Sequence, residues 1–191
     1  MQAFCYVKPW FVHEVFIDHH LTLVKYWMFI KPLEKIVDFV QFERELFNII
    51  KVAGFQKNQI ICQTITAGST DWHTGIGRID GLEDTNEELY ANINPALDGT
   101  ILADIIKKYQ GFRTRIMLMS PRSCYSIHSD PTPRLHIPFQ TNKSAWMAWP
   151  HSSATIHLPR GYVWWTDTTQ PHTFFNAGIE DRIHIIMGVK V

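Results

Sequence analysis

The chain has 191 residues, 46% of them hydrophobic and 13% aromatic, with 18 Lys plus Arg set against 18 Asp plus Glu. That length and apolar content suffice for one domain, 1–191, with its own core, and zero formal net charge excludes recruitment by bulk charge to nucleic acid or an anionic membrane. Cys5, Cys62 and Cys124 are too widely spaced for a disulfide framework or a zinc ribbon, and no apolar run has the length of a membrane span or the flanks of a leader, so a cytoplasmic setting is expected.

Residues 1–33 read as extended or irregular, because Pro9 and Pro32 punctuate short aromatic and β-branched runs. Over 34–53 the apolar residues Ile36, Val37, Phe39, Val40, Leu46, Phe47 and Ile50 recur at helical spacing, and Gly54 follows as a stop. A strand is expected over 59–65, followed by a loop rich in Gly and Asp that runs from Gly68 to Gly81. Loops of that length often carry function. A second helix is expected over 96–109, with Pro95 in its first turn, an apolar stripe of Leu97, Ile101, Leu102, Ile105 and Ile106, and Gly111 at its end.

Beyond Gly111 the pattern is strand-like: 112–119, 123–128, 134–140, 145–149, 154–158, 162–166, 173–176 and 182–189, divided by short polar turns. Short strands at this spacing predict a β-sandwich or barrel, with residues 1–110 supplying strands and two supporting helices and 111–191 most of the core.

Two imidazoles and one carboxylate on one side of a metal leave positions open for a cosubstrate and oxygen, which is what an Fe(II) oxygenase site needs. His128 and Asp130 stand two apart, so on an extended strand end both side chains point the same way. His172 opens a much later strand and can complete the set. Ten residues on, Arg182 begins another strand, where a guanidinium can grip a carboxylate with two parallel hydrogen bonds, as a dicarboxylic cosubstrate requires. Alternation puts Arg134 and His136 on one strand face against Leu135, Ile137 and Phe139, and puts Arg182 and His184 opposite Ile183, Ile185 and Met187.

The runs Tyr125-Ser-Ile-His128-Ser-Asp130, Arg134-Leu-His136-Ile-Pro, Gly161-Tyr-Val-Trp-Trp-Thr-Asp167, His172-Thr-Phe-Phe-Asn176 and Asp181-Arg182-Ile-His184, in that order, resemble the aspartyl/asparaginyl β-hydroxylase branch of the Fe(II)/2-oxoglutarate-dependent oxygenases. The resemblance covers about Arg113 to the C-terminus. It implies a mainly β fold with flanking helices around a double-stranded β-helix, the jelly-roll core shared with cupins. It also implies His128, Asp130 and His172 as iron ligands, Arg182 on the distal carboxylate of 2-oxoglutarate, and Arg134 with His136 near the metal-side carboxylate. The activity implied is hydroxylation of an amino acid, free or in a peptide or protein, with molecular oxygen consumed and succinate and carbon dioxide released. Well-known animal members lack the carboxylate ligand; this chain keeps Asp130, which fills the position a halide would need and so favours hydroxylation over halogenation. The spacer between His128 and Arg134 is shorter here.

Tyr125 can hydrogen-bond the cosubstrate or simply pack, and Trp72 with His73, on the Gly-rich loop, are candidates for a substrate lid. Trp146, Trp149, Trp164 and Trp165 read as core or barrel wall. Two rival functions share the same strands: a cupin-like metal protein binding a small acid or sugar without oxygen chemistry, and a metal-free β binding module.

Overall fold

A computed structural model describes residues 28–77 and 86–190; the expectations for 1–27, Cys5 among them, and for Asp80 and Gly81 fall outside that span. In chain order the elements are β1 (Ile30–Lys35), α1 (Phe39–Ala53), β2 (Gln59–Ile61), β3 (Gln63–Thr64), β4 (Asn92–Ile93), α2 (Ile101–Tyr109), β5 (Phe112–Met119), β6 (Ser123–Cys124), β7 (Arg134–Gln140), β8 (Ala145–Trp149), β9 (Ala154–Ile156), β10 (Tyr162–Thr166), β11 (Thr173–Asn176) and β12 (Arg182–Gly188).

Period-2 alternation turns one face of each long strand to the core, and the strands pair antiparallel into two layers. The larger sheet has the order β1-β10-β7-β12-β5-β2, the smaller β6-β11-β8-β9, and β3 with β4 forms a separate ribbon. This is the double-stranded β-helix that the sequence resemblance implies. The N-terminal half contributes the two outer strands of the large sheet, β1 and β2.

Both helices cover the outer face of the large sheet. Phe42, Leu46 and Ile49 of α1 and Leu102, Ile105 and Ile106 of α2 pack with Ile116, Leu135, Ile137, Phe139, Ile183 and Ile185 from the strands. Glu45 ties the helices together by accepting a hydrogen bond from the backbone N–H of Ile101, in the first turn of α2, at 2.9 Å. A second apolar cluster contains Met119 of the large sheet, Met147, Trp149 and Phe174 of the small one, and Leu158. Its Trp149 is anchored by an indole N–H donated to the Asp167 carbonyl at 2.8 Å.

Several element boundaries differ from expectation, β6 ending at Cys124 rather than 128 and β9 at Ile156 rather than 158. The first helix starts at Phe39 rather than 34, because Asp38 caps it by accepting from the Gln41 N–H at 2.9 Å, while Glu34 and Lys35 pair with β10. Pro32 is tolerated there because β1 is an edge strand. With that start, the buried face of α1 carries Phe42, Leu46 and Ile49, and Val40 and Phe47 are left exposed. The helix expected over 96–109 is interrupted: a 3₁₀ turn spans Pro95–Leu97, Gly99 takes φ +76°, and Thr100 caps α2 anew by accepting from the Ala103 N–H at 3.2 Å. The strand expected over 59–65 is likewise divided, into β2 and β3, which join different sheets.

Candidate functional site

The inner face of the large sheet does not fill with apolar side chains. Between the sheets lies a cavity of about 700 Å³, whose walls include Arg113 and Arg115 from β5, Arg134 and His136 from β7, Arg182 and Ile186 from β12, Phe174 from β11, and the segment from Tyr125 to Pro131.

At its mouth one ligand atom each from His128, Asp130 and His172 lies within 4.8 Å of the other two. Backbone pairing brings them there: His128 and His172 exchange N–H to C=O bonds of 3.0 and 2.9 Å, and the Asp130 N–H donates to the Thr168 carbonyl at 2.8 Å. Each imidazole is oriented by its own backbone, with Nδ1–H of His128 donating to the Ser126 carbonyl at 2.8 Å and Nδ1–H of His172 to the Gln170 carbonyl at 3.0 Å. That tautomer leaves both Nε2 lone pairs free to bind a metal. Burial, helped by the neighbouring His128, depresses the His172 pKa and keeps it neutral. Burial works against ionisation of Asp130, but Arg134, whose Nε lies 3.1 Å from Oδ2, and the nearby His172 outweigh it and hold the carboxyl below its ordinary range. Two imidazoles and a carboxylate are a donor set suited to Fe(II).

Arg182 lies deeper in the cavity and is fully buried. Its guanidinium stacks 3.7 Å above the Phe174 ring and donates from Nη2 to His184 Nδ1, but Nε and Nη1 have no hydrogen-bond partner. Among the described residues it forms no ion pair. Burial without a counter-charge pushes its pKa down to about 9, the nearby Tyr125 hydroxyl acting weakly the other way. An uncompensated buried cation is costly, and a carboxylate delivered from solution would offset that cost. His136 and His184 flank it as neutral imidazoles, kept so by burial and then by the Arg182 charge, and His136 Nδ1 is also buried without a partner. Asn176 fixes the turn that leads into Arg182: its Nδ2 donates to the Glu180 carbonyl at 2.8 Å, and its Oδ1 accepts from Asn142 and the Gly178 N–H.

Arg134 is already engaged by carboxylates of the chain itself. Besides Asp130 it pairs with Glu87, Nη2 to Oε2 at 2.5 Å, and Glu87 also pairs with Arg113. Gly188 makes room for it, since a Cβ there would run into Arg134 Nη1 and the Phe112 ring. Although burial opposes it, the charges of Arg134 and Arg113 hold Glu87 ionised below the ordinary carboxylate range. Glu87→Gln is therefore expected to cost about 3 kcal/mol of stability at pH 7, because two buried guanidiniums lose a counter-charge. A folded-state carboxyl pKa below the unfolded value stabilises above about pH 4.3 and ceases to do so as pH falls through the folded value. Urea midpoints of wild type and variant should therefore converge on acidification toward pH 3; equal midpoints at pH 7 would show that Glu87 does not hold the cluster.

Trp72 and His73 do not line the cavity. Trp72 packs, partly buried, against the main core cluster, and His73 is held by a 3.0 Å contact between Nε2 and the Gly54 carbonyl; of their loop, Gly77 reaches the cavity wall. Tyr125 does line it, beside Arg182. Sequence reasoning missed Glu87, Arg113 and Arg115. Alternation along β5 was a usable signal for the two arginines, since Arg113, Arg115 and Met117 share one face, opposite Ile116 and Leu118.

No family model and no curated protein matches the sequence. Among solved structures, a truncated form of the collagen prolyl hydroxylase vCPH from Paramecium Bursaria Chlorella virus-1 is similar at 11% identity and a TM-score of 0.50, over 84% of this chain and 91% of that one. AviO1 from Streptomyces viridochromogenes Tue57 is similar at 11% identity and a TM-score of 0.46, over 83% and 88%. A cupin domain from Bordetella pertussis Tohama I is similar at 16% identity and a TM-score of 0.36, over 41% of this chain and 81% of that one. At such identities the likeness to the viral enzyme is one of fold, and it agrees with the jelly-roll core described above.

Proposed function

We propose that this chain is an Fe(II)- and 2-oxoglutarate-dependent dioxygenase that hydroxylates an amino-acid residue or an amino-acid-like substrate, releasing succinate and carbon dioxide, and that it belongs with the aspartyl/asparaginyl β-hydroxylase-like oxygenases. The observation that carries the reading is the buried guanidinium of Arg182, without a carboxylate partner among the described residues, in the same cavity as a His-Asp-His set. A cupin-like protein binding some other small acid needs no such pairing of anion anchor and open metal site.

In this reading His128, Asp130 and His172 hold the iron, and Arg182 holds the distal carboxylate of 2-oxoglutarate, with Tyr125 beside it. Iron, when bound, supplies the redox chemistry of oxygen that no side chain can provide. His136 Nδ1, buried and unpartnered, is the donor for the metal-side carboxylate. Arg134, between Asp130 and Glu87, orients the carboxylate ligand and keeps it ionised. Phe174 and Met147 line the cavity as an apolar wall that limits water at the reacting centre.

The test is anaerobic addition of Fe(II) and 2-oxoglutarate, followed by visible absorption. A weak metal-to-ligand charge-transfer band is expected in the wild type and should be lost in His172→Ala. Metal binding without the band would favour the cupin-like reading, and no metal binding the metal-free module.

A further inference from the structure

Among the described residues, the cavity wall carries more positive charge than metal and cosubstrate can use. If iron and doubly charged 2-oxoglutarate are bound as proposed above, on which this inference rests, they cancel with Asp130 and Arg182. Among the described residues, Arg113, Arg115 and Arg134 then face Glu87 alone, an excess of two positive charges on one wall.

That wall lies away from Arg182. Arg115 pairs across the sheet with Ile186, four residues along β12 from Arg182, which at the rise of a strand is about 13 Å. His136 pairs with the same Ile186 from the other side and Arg134 with Gly188, so the arginines cluster at the far end of the cavity. Of the three, Arg134 and Arg113 are tied to Glu87, whereas Arg115 forms no ion pair among the described residues. Its Nη1 makes only a 3.4 Å contact with Gln59 Oε1, and its Nε is buried without a partner. Arg113 Nε is buried and unpartnered as well, and its backbone holds the left-handed φ of +48°, a conformation that costs energy and is kept by the Arg113 N–H bond to the Tyr90 carbonyl at 2.8 Å.

We infer that Arg115, with Arg113 beside it, is the anchor for an anionic group of the substrate, and that the substrate is a dianion bearing carboxylate or phosphate rather than a neutral molecule. A guanidinium with free N–H groups facing a partly dehydrated cavity is the donor arrangement such oxyanions select. The excess of two charges sets the preferred valence, and the distance from Arg182 keeps this anchor apart from that of the cosubstrate.

The experiment is calorimetric titration of the anaerobic Fe(II)–2-oxoglutarate protein with N-acetyl-L-glutamate and with glycerol 3-phosphate, each against a less charged counterpart, N-acetyl-L-glutamine and glycerol. At least one dianion should bind 10-fold or more tightly than its counterpart, and which one it is separates a carboxylate from a phosphate substrate. Arg115→Gln should weaken that binding at least 10-fold, and Arg115→Lys, which keeps the charge, by less than 5-fold. Equal binding of the less charged counterparts, no binding of either dianion, or binding indifferent to Arg115→Gln in protein that still shows the absorption band would overturn the inference and leave the oxygenase reading standing. If the wild type shows no band, the oxygenase reading falls instead, and the same titration of metal-free protein and Arg115→Gln then decides the anion site by itself.

Discussion

Asp130→Ala is expected to lower 2-oxoglutarate turnover, read as succinate released, by roughly 100-fold or more and to weaken Fe(II) binding at least 10-fold. Two losses combine. In the proposed site the metal loses the one carboxylate donor found among the described residues, so two imidazoles must hold it, and Arg134 loses one of its two counter-charges, the carboxylate 3.1 Å from its Nε. The second loss leaves Arg134 on Glu87 alone, and the segment from His128 to Arg134 loses the ion pair that fixes its end. Asp130→Asn separates the contributions, because the amide keeps an oxygen donor and the shape but not the charge. It should recover part of the metal affinity without restoring the Arg134 pairing. Full turnover by Asp130→Ala would show that the carboxylate is not a ligand, and the assignment of the triad would fail with it.

Much of the β core was legible because its signal is local. Over 134–140 apolar and polar residues alternate, 112–119, 145–149, 162–166 and 173–176 are short runs rich in apolar or aromatic residues between well-marked turns, and the observed strands have those bounds. The polar faces of Arg134 with His136 and of Arg182 with His184 could be read the same way, since a period of two needs no partner strand to be seen. What local pattern could not convey is pairing. β1 is a strand because it lies along β10, more than 120 residues later, so its last residues looked like the first turn of the helix that follows. Glu87 stands in a 3₁₀ turn with no periodicity of its own, and only the antiparallel register of β5, β12 and β7 carries Arg113 and Arg134 to it. The same register explains why alternation along β5 marks its two arginines as one face, while nothing local ties that face to the site. Gly99 and Thr100 are a stop and a cap in the middle of a helical stripe, and it is there that the helix is interrupted.

Arg182→Met should separate binding from stability in opposite directions. In the wild type the guanidinium is fully buried with two of its three nitrogens unpartnered, and its depressed pKa, about 9, expresses how unwelcome that charge is. It remains protonated at neutral pH, so the cost is carried by the folded protein and not relieved by titration. A methionine of similar reach removes the uncompensated charge and keeps an apolar contact with Phe174, at the loss of a cation–π interaction worth about 1–2 kcal/mol and of the donor to His184. Replacing a buried ion by a packed apolar side chain is commonly neutral or stabilising by about 1–4 kcal/mol. The unliganded variant is therefore expected to melt no lower than unliganded wild type, while its requirement for 2-oxoglutarate rises by roughly 100-fold or more, since a charge-assisted bidentate contact is gone. Ligand linkage makes the contrast measurable: wild type at about 100 times its Kd for 2-oxoglutarate should gain about 2.7 kcal/mol, and the variant at the same concentration should gain about 0.4 kcal/mol or less. Thermal unfolding of both proteins with and without 2-oxoglutarate, metal present throughout, gives all four values. A variant that melts well below wild type without ligand would mean that Arg182 is a structural cation answered within the fold. A variant stabilised by 2-oxoglutarate as strongly as wild type would place the cosubstrate carboxylate elsewhere in the cavity.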